Sequence, residues 1–230
     1  MIVRQRGKQF VLIHQHQHAL MSGVFAENLE QTIRPFNETL YAISHHDVGW
    51  MEVDQQIHWN EELKRPYSFT DFPLELKLNV YQKGITEVEA NSVYAGYLCS
   101  KLYSTFLEKH DEPLAKEFLD REQVRRQRMR KYLSLEEKQY LIDNFRLLRF
   151  CDDLSLALCL NEPGYQTHPW YKNGIQYNGI NYNWIWEGED QLRLHPNLFR
   201  DTFPVQIPYL VLAEDRKIVE EGVYQWKVLV

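Results

Sequence analysis

Two histidines and an aspartate stand side by side at His45, His46 and Asp47, followed by Val48, Gly49 and Trp50. Imidazole and carboxylate are the usual ligands of a transition ion, and both are costly to bury without a partner. Leu40, Ile43, Asp47 and Trp50 step by three and four residues. A helix through them puts Asp47 on a buried stripe, with His46 one position away and able to reach an ion between the two side chains. The competing reading of the stretch alone is a pair satisfied by neighbouring backbone at a helix end.

Two more positions complete a set. His18 stands at the start of a helix expected over 19–31. Asp152 shares a helical stripe with Phe145, Leu148, Leu156 and Cys159, whereas Asp153 falls with Arg149 and Ala157. A core aspartate needs a counter-charge, so Asp152 is expected to face inward and Asp153 to sit at the rim beside Arg149. Two imidazoles and two carboxylates from His18, His46, Asp47 and Asp152 suit one divalent transition ion, Fe, Mn or Zn, better than Mg. Such an ion polarises a phosphoryl oxygen and lowers the pKa of water. A different grouping, His14, His16 and His18, shares one face if a strand runs on to residue 18; it would make the chain another kind of metalloenzyme and leave His46, Asp47 and Asp152 without a shared purpose.

The surrounding elements must bring these residues together. Residues 2–6 and 10–14 read as a hairpin around Gly7-Lys8. A second helix is expected over 38–47. Residues 51–71 show no sustained period and form a long loop where substrate contacts are expected. Pro73 starts a short helix that Gly84 stops. Thr86 and Glu89 have capping-box spacing for the next helix, which is expected to reach His110. A further helix is expected over 113–132; its arginines, Arg121, Arg125, Arg126, Arg128 and Arg130, read as a solvated face rather than a phosphate site, because acids flank them and no aromatic residue is interleaved. Ser134 and Glu137 cap a last helix, which carries Asp152. After Pro163-Gly164, short stretches at 175–186, 191–195, 203–213 and 223–230 read as antiparallel sheet. The fold class is α+β: a single domain with a helical core over about 18–160, and a sheet from about 1–14 and 175–230. The Trp- and Tyr-rich tail forms either the core of that sheet or a partner surface.

A net charge of −6 argues against a nucleic-acid polymer as partner, since phosphate neutralisation needs a basic face. It leaves room for a small phosphorylated molecule whose charge a metal neutralises. Cys99, Cys151 and Cys159 are odd in number and sit in apolar helical sequence, so they read as reduced core thiols of a cytoplasmic protein. No apolar run reaches membrane length, and the first residues carry no apolar segment ending in a cleavage site, so no membrane partner is expected. A homodimer is left open.

The ordered set His18, His46-Asp47 and Asp152 resembles the H…HD…D pattern of the HD superfamily of metal-dependent phosphohydrolases. The run His46-Asp47-Val48-Gly49 is similar to that superfamily's HD-I-G segment, with Trp50 in place of its common lysine. Nearly the whole chain also resembles a mainly bacterial family, domain of unknown function 3891, at 15–23 (QHQHALMSG), 45–52 (HHDVGWME), 65–73 (RPYSFTDFP) and 151–159. The resemblance implies an HD-like helical core and one metal ion, with no second histidine pair beyond the remote His58 and His110. It assigns no substrate. On the phosphohydrolase reading, Asp54 or His45 is expected to shuttle a proton, and Arg65 or His58 to touch the phosphate. The alternative is a non-catalytic binding module with a structural or vestigial metal site.

Overall fold

The computed structural model describes residues 1–230. The chain opens with a hairpin, β1 (Ile2–Arg6) and β2 (Gln9–Ile13), turned at Gly7 with φ of 61°. That left-handed backbone suits a residue without Cβ. Two helices follow, α1 (Gln15–Glu27) and α2 (Phe36–His45), then a small hairpin of β3 (Trp59–Asn60) and β4 (Arg65–Pro66). Four longer helices come next: α3 (Leu74–Asn91), α4 (Val93–Leu107), α5 (Pro113–Tyr132) and α6 (Leu135–Leu160). The C-terminal third supplies β5 (Ile175–Tyr177), β6 (Ile180–Trp186), β7 (Gln191–His195), β8 (Phe203–Leu212) and β9 (Ile218–Leu229).

Both chain ends build one seven-stranded sheet in the order β1-β2-β8-β9-β7-β6-β5. The expected α+β architecture, a helical core with a sheet from the two ends, is therefore present. The sheet is mixed rather than wholly antiparallel: β7 runs parallel to β9, pairing Leu192 with Val228, because the β8–β9 hairpin folds back alongside β7. A cluster of 50 buried residues joins helices to sheet, from Ile2 and Ile13 through Leu98 and Leu154 to Trp184 and Trp226. The tail aromatics Tyr171, Tyr177, Tyr182 and Trp184 are buried in that core, and Phe150 of α6 stacks on Tyr177 at 4.4 Å. Tyr165 and Trp170 of the tail remain exposed. No helix is long and apolar enough to cross a membrane.

Several boundaries differ from the sequence reading, two of them because distant segments intervene. Helix α1 begins at Gln15 rather than 19, because Asp54 Oδ2 accepts the Gln15 backbone N–H at 2.6 Å, a cap supplied from a distant segment. His14, His16 and His18 therefore do not lie along a strand: the last two sit about 200° apart around a helix, and His16 packs beside His45 instead, ring centroids 5.7 Å apart. Gly84 does not stop α3 but sits inside it, where its missing side chain admits the backbone of Gly49. Thr86 consequently caps nothing, its hydroxyl donating to Gln82 O at 2.7 Å, and the break falls at Ser92, whose Oγ accepts the Ala95 N–H at 3.2 Å. Helix α4 ends at Leu107, short of His110.

The Ser134–Glu137 capping box forms as expected. Three of the five arginines of α5 are committed to neighbouring helices, and Arg121 and Arg130 are exposed. Arg125 and Arg128 pair with Glu89 of α3, and Arg126 donates to Ser100 Oγ and Ser104 Oγ of α4 at 2.9 and 2.6 Å.

Candidate metal centre

The four expected ligands meet where α1, the end of α2 and α6 converge. His18 lies in the first turn of α1, and Asp152 lies in α6. His46 and Asp47 are not on a helical stripe: α2 ends at His45, His46 is its C-cap, and Asp47 has left the helix at φ −106°, ψ 20°. That departure turns the Asp47 carboxylate back toward α1 and α4. Its Oδ1 accepts the Tyr103 hydroxyl at 2.7 Å, and its Oδ2 accepts the Gln15 side-chain amide at 3.1 Å. All four candidate ligands are buried.

Imidazole and carboxylate atoms converge closely. His18 Nε2 stands 2.8 Å from Asp47 Oδ2, and His46 Nε2 stands 3.8 Å from that same oxygen and 3.4 Å from Asp152 Oδ1. Ligand atoms of His18, His46 and Asp47 all lie within 4.8 Å of one another, near enough to close on one ion with small side-chain shifts, and Asp152 adjoins them through His46. His46 donates Nδ1–H to Ile43 O at 2.7 Å, which leaves its Nε2 directed at the two carboxylates, buried and with no hydrogen-bond partner. His18 Nδ1 lies 2.9 Å from Ser155 Oγ, whose hydroxyl donates on to Asp152 O at 2.9 Å. His18 Nε2 faces Asp47 Oδ2 at 2.8 Å, so the hydroxyl that holds Nδ1 also aims Nε2 at the carboxylate. Partners that fix the outer ring nitrogens in this way are typical of metal-bound histidine. His18, His46 and Asp47 thus form a buried cluster able to chelate a metal ion, resembling an HD-type motif.

The electrostatics point the same way. Burial alone works to raise the Asp47 carboxyl, but His46, His18 and the Tyr103 hydroxyl hold it down at about 2. Burial pushes the His46 imidazolium down, yet the charge of Asp47 and the contact with Asp152 carry it up to about 9. In the metal-free protein at neutral pH a proton therefore occupies the place a cation would take. Binding a divalent ion must expel it, so metal affinity is expected to rise with pH, about tenfold per unit, and to level off above about 9. Calorimetry in buffers of different ionisation enthalpy should register about one proton released per ion at neutral pH. A pH-independent affinity would show that His46 does not give up a proton to the metal.

The family model described as "Protein of unknown function (DUF3891)" matches residues 1–214. The chain belongs to that family. No curated protein and no solved structure matches it. In this DUF3891 chain a cavity of about 380 Å³ opens against the cluster, within the usual size range of ligand pockets. Trp50, Tyr81 and Tyr103 wall its inner side, and Phe69, Phe106 and Trp170 its outer side.

Asp54, His45, His58 and Arg65 do not line this cavity. Asp54 is buried and engaged by the Met1 amino group at 2.7 Å and by Gln15 N–H. His45 stacks on Tyr41, centroids 4.1 Å apart, on the far side of α2 toward His16. His58 is exposed against the edge of Phe72, and Arg65 pairs with Asp71 at 2.8 Å. The cavity instead presents Lys77, His110 and Arg149, together with Gln15. Lys77 donates to Thr70 O at 3.2 Å, and burial lowers its ammonium pKa. Its position on the apolar side of α3, in the turn after Pro73, was the available sequence signal. Asp153 is half-buried at the cavity rim, where burial and the neighbouring Asp152 raise its carboxyl, and it accepts the Tyr171 hydroxyl at 3.0 Å. Arg149 is exposed beside it and makes no ion pair with it within 4.0 Å.

Proposed function

We propose that this chain is a metal-dependent hydrolase of a small phosphorylated compound, a nucleotide or another phosphate ester, with one divalent transition ion, Fe, Mn or Zn, held by His18, His46, Asp47 and Asp152. The observation that carries the reading is the buried, unpartnered Nε2 of His46 between two carboxylate oxygens and beside an open cavity. The likeness of the cluster to the HD motif supports the same reaction class. A bound ion supplies Lewis acidity toward a phosphoryl group. The remaining work falls to the chain itself. Lys77 offers positive charge to phosphate oxygens from the α3 side of the cavity. Tyr103 and Gln15 fix the Asp47 carboxylate, and the aromatic walls limit the access of bulk water.

A non-catalytic module with a structural ion calls for a site closed on all sides. The cavity lying against the cluster favours the catalytic reading. The test is metal analysis of the purified chain, followed by a panel of phosphate esters assayed with added Mn²⁺ and with a chelator. A stoichiometric ion, and Mn²⁺-dependent release of phosphate that His46→Ala abolishes, are expected. Absence of bound metal together with no activity on Mn²⁺ addition would overturn the proposal.

A further inference from the structure

We infer that the ligand of this site carries a second anionic group, phosphate or carboxylate, gripped by Arg149 and Arg146 on the outer face of α6; the inference rests on the hydrolase reading above. An open groove of about 990 Å³ adjoins the metal cavity, and Arg149, Asp153, Trp170 and Tyr171 line both spaces. The two therefore meet along one rim, and a ligand longer than the inner cavity has a lined path outward.

Helix geometry sets the spacing. Arg149 and Arg146 precede Asp152 by three and six residues in α6, which is about 4.5 and 9 Å along its axis. A row of cations thus leads away from the metal cluster on a chain whose net charge is −6. Both guanidinium groups are available. Arg149 forms no ion pair, and Arg146 has only an exposed contact with Asp143 one turn away, at 3.3 Å, of the kind that solvent and salt weaken. The nearest acid on the rim, Asp153, is tied to the Tyr171 hydroxyl. Guanidinium forks match phosphate and carboxylate oxygens two at a time. Between the two ends the exposed ring of Trp170 and the edge of Tyr171 offer an apolar surface, which suits an uncharged spacer.

The experiment uses the full chain loaded with Mn²⁺ and calorimetric titration with alkyl phosphates of increasing length. Three series differ only at the far end: methyl, carboxylate or phosphate. At one chain length an anionic end should tighten binding at least about tenfold over the methyl end, and the better of the two anionic series identifies the group. Arg146→Gln should bring that ratio close to one. Arg130→Gln, an equal charge change on exposed α5, should leave the ratio as it was. A ratio near one at every length, or one that Arg146→Gln does not alter, overturns the second-anion site while the hydrolase reading stands. Failure of the methyl-ended series to bind the loaded protein overturns the hydrolase reading. An anion-ended ligand that still binds in that case, and weakens in Arg146→Gln, upholds the outer site on its own. No binding in any series overturns both.

Discussion

Asp152→Asn is expected to abolish metal binding and activity, and Asp153→Asn to leave metal content close to wild type. The two residues are adjacent in α6, about 100° apart around the helix. Asp152 is buried with Oδ1 3.4 Å from His46 Nε2 and 3.8 Å from His18 Nδ1. Asp153 spends its Oδ1 on the Tyr171 hydroxyl at 3.0 Å. Loss of a residue that merely orients a ligand costs about 10- to 100-fold in metal affinity; loss of a ligand itself should reach at least the upper end of that range. Asparagine keeps the shape and one weak oxygen donor, so a large effect would come from the missing charge. The same change lowers repulsion among Asp47, Asp152 and Asp153 in the metal-free protein. It also takes a counter-charge from the buried His46 imidazolium, 3.4 Å from Asp152 Oδ1, so the melting temperature of the metal-free variant does not measure ligation, whereas the rise on adding metal is expected to disappear. Metal stoichiometry is the decisive measurement. Equal content in wild type and Asp152→Asn would break the four-ligand assignment.

What was legible in the sequence follows physical lines. The convergence of His18, His46 and Asp47 was legible because buried His and Asp are costly and call for a shared partner. Asp152 could be told from Asp153 by helical periodicity, since both lie inside one long helix whose Ser134–Glu137 cap fixes its start. Asp47 reached the cluster by another route than the one its spacing implied. It left the helix, and Tyr103 and Gln15 hold it there. The boundaries that local patterns missed were set by distant residues: Asp54 capping α1, and Gly49 keeping Gly84 inside α3. The cavity's cations escaped for the same reason. Residues near the HD pair in sequence, Asp54, His58 and Arg65, turn to local or N-terminal partners, whereas Lys77 and Arg149 arrive from α3 and α6. Which side chains share a cavity is a property of packing between elements, and periodicity within one element does not report it.

Gly49→Ala should be among the most damaging single-methyl changes in this chain. Gly49 lies in the 3-10 turn Val48–Trp50 that directly follows the candidate ligands His46 and Asp47. A Cβ built there meets Val80 O at 2.3 Å and Gly84 N at 2.8 Å, both backbone atoms of α3 that cannot rotate away. Relief requires moving the turn off the helix. Trp50, which is 1 % exposed and packs edge-on against Phe72 and Tyr81 at 5.5 and 6.3 Å, would move with it. Tyr81 in turn stacks on Tyr103 at 4.0 Å, and Tyr103 holds Asp47. Strain at Gly49 is thus passed directly to Asp47, a candidate metal ligand. Overpacking of this kind costs about 1–3 kcal/mol, and a clash with fixed backbone belongs at or above the upper figure. For a chain of this size about 3 kcal/mol lowers Tm by roughly 6–12 °C. Metal affinity should fall as well, although no ligand has been touched. Gly7→Ala is the comparison: its Cβ meets nothing within 4 Å, so its cost is confined to the left-handed backbone at φ 61°, about 1–2 kcal/mol, with metal affinity unchanged. Thermal melts and metal titrations of the two variants separate the effects, and a Gly49→Ala protein that melts and binds metal like Gly7→Ala would show that the turn does not depend on its contact with α3.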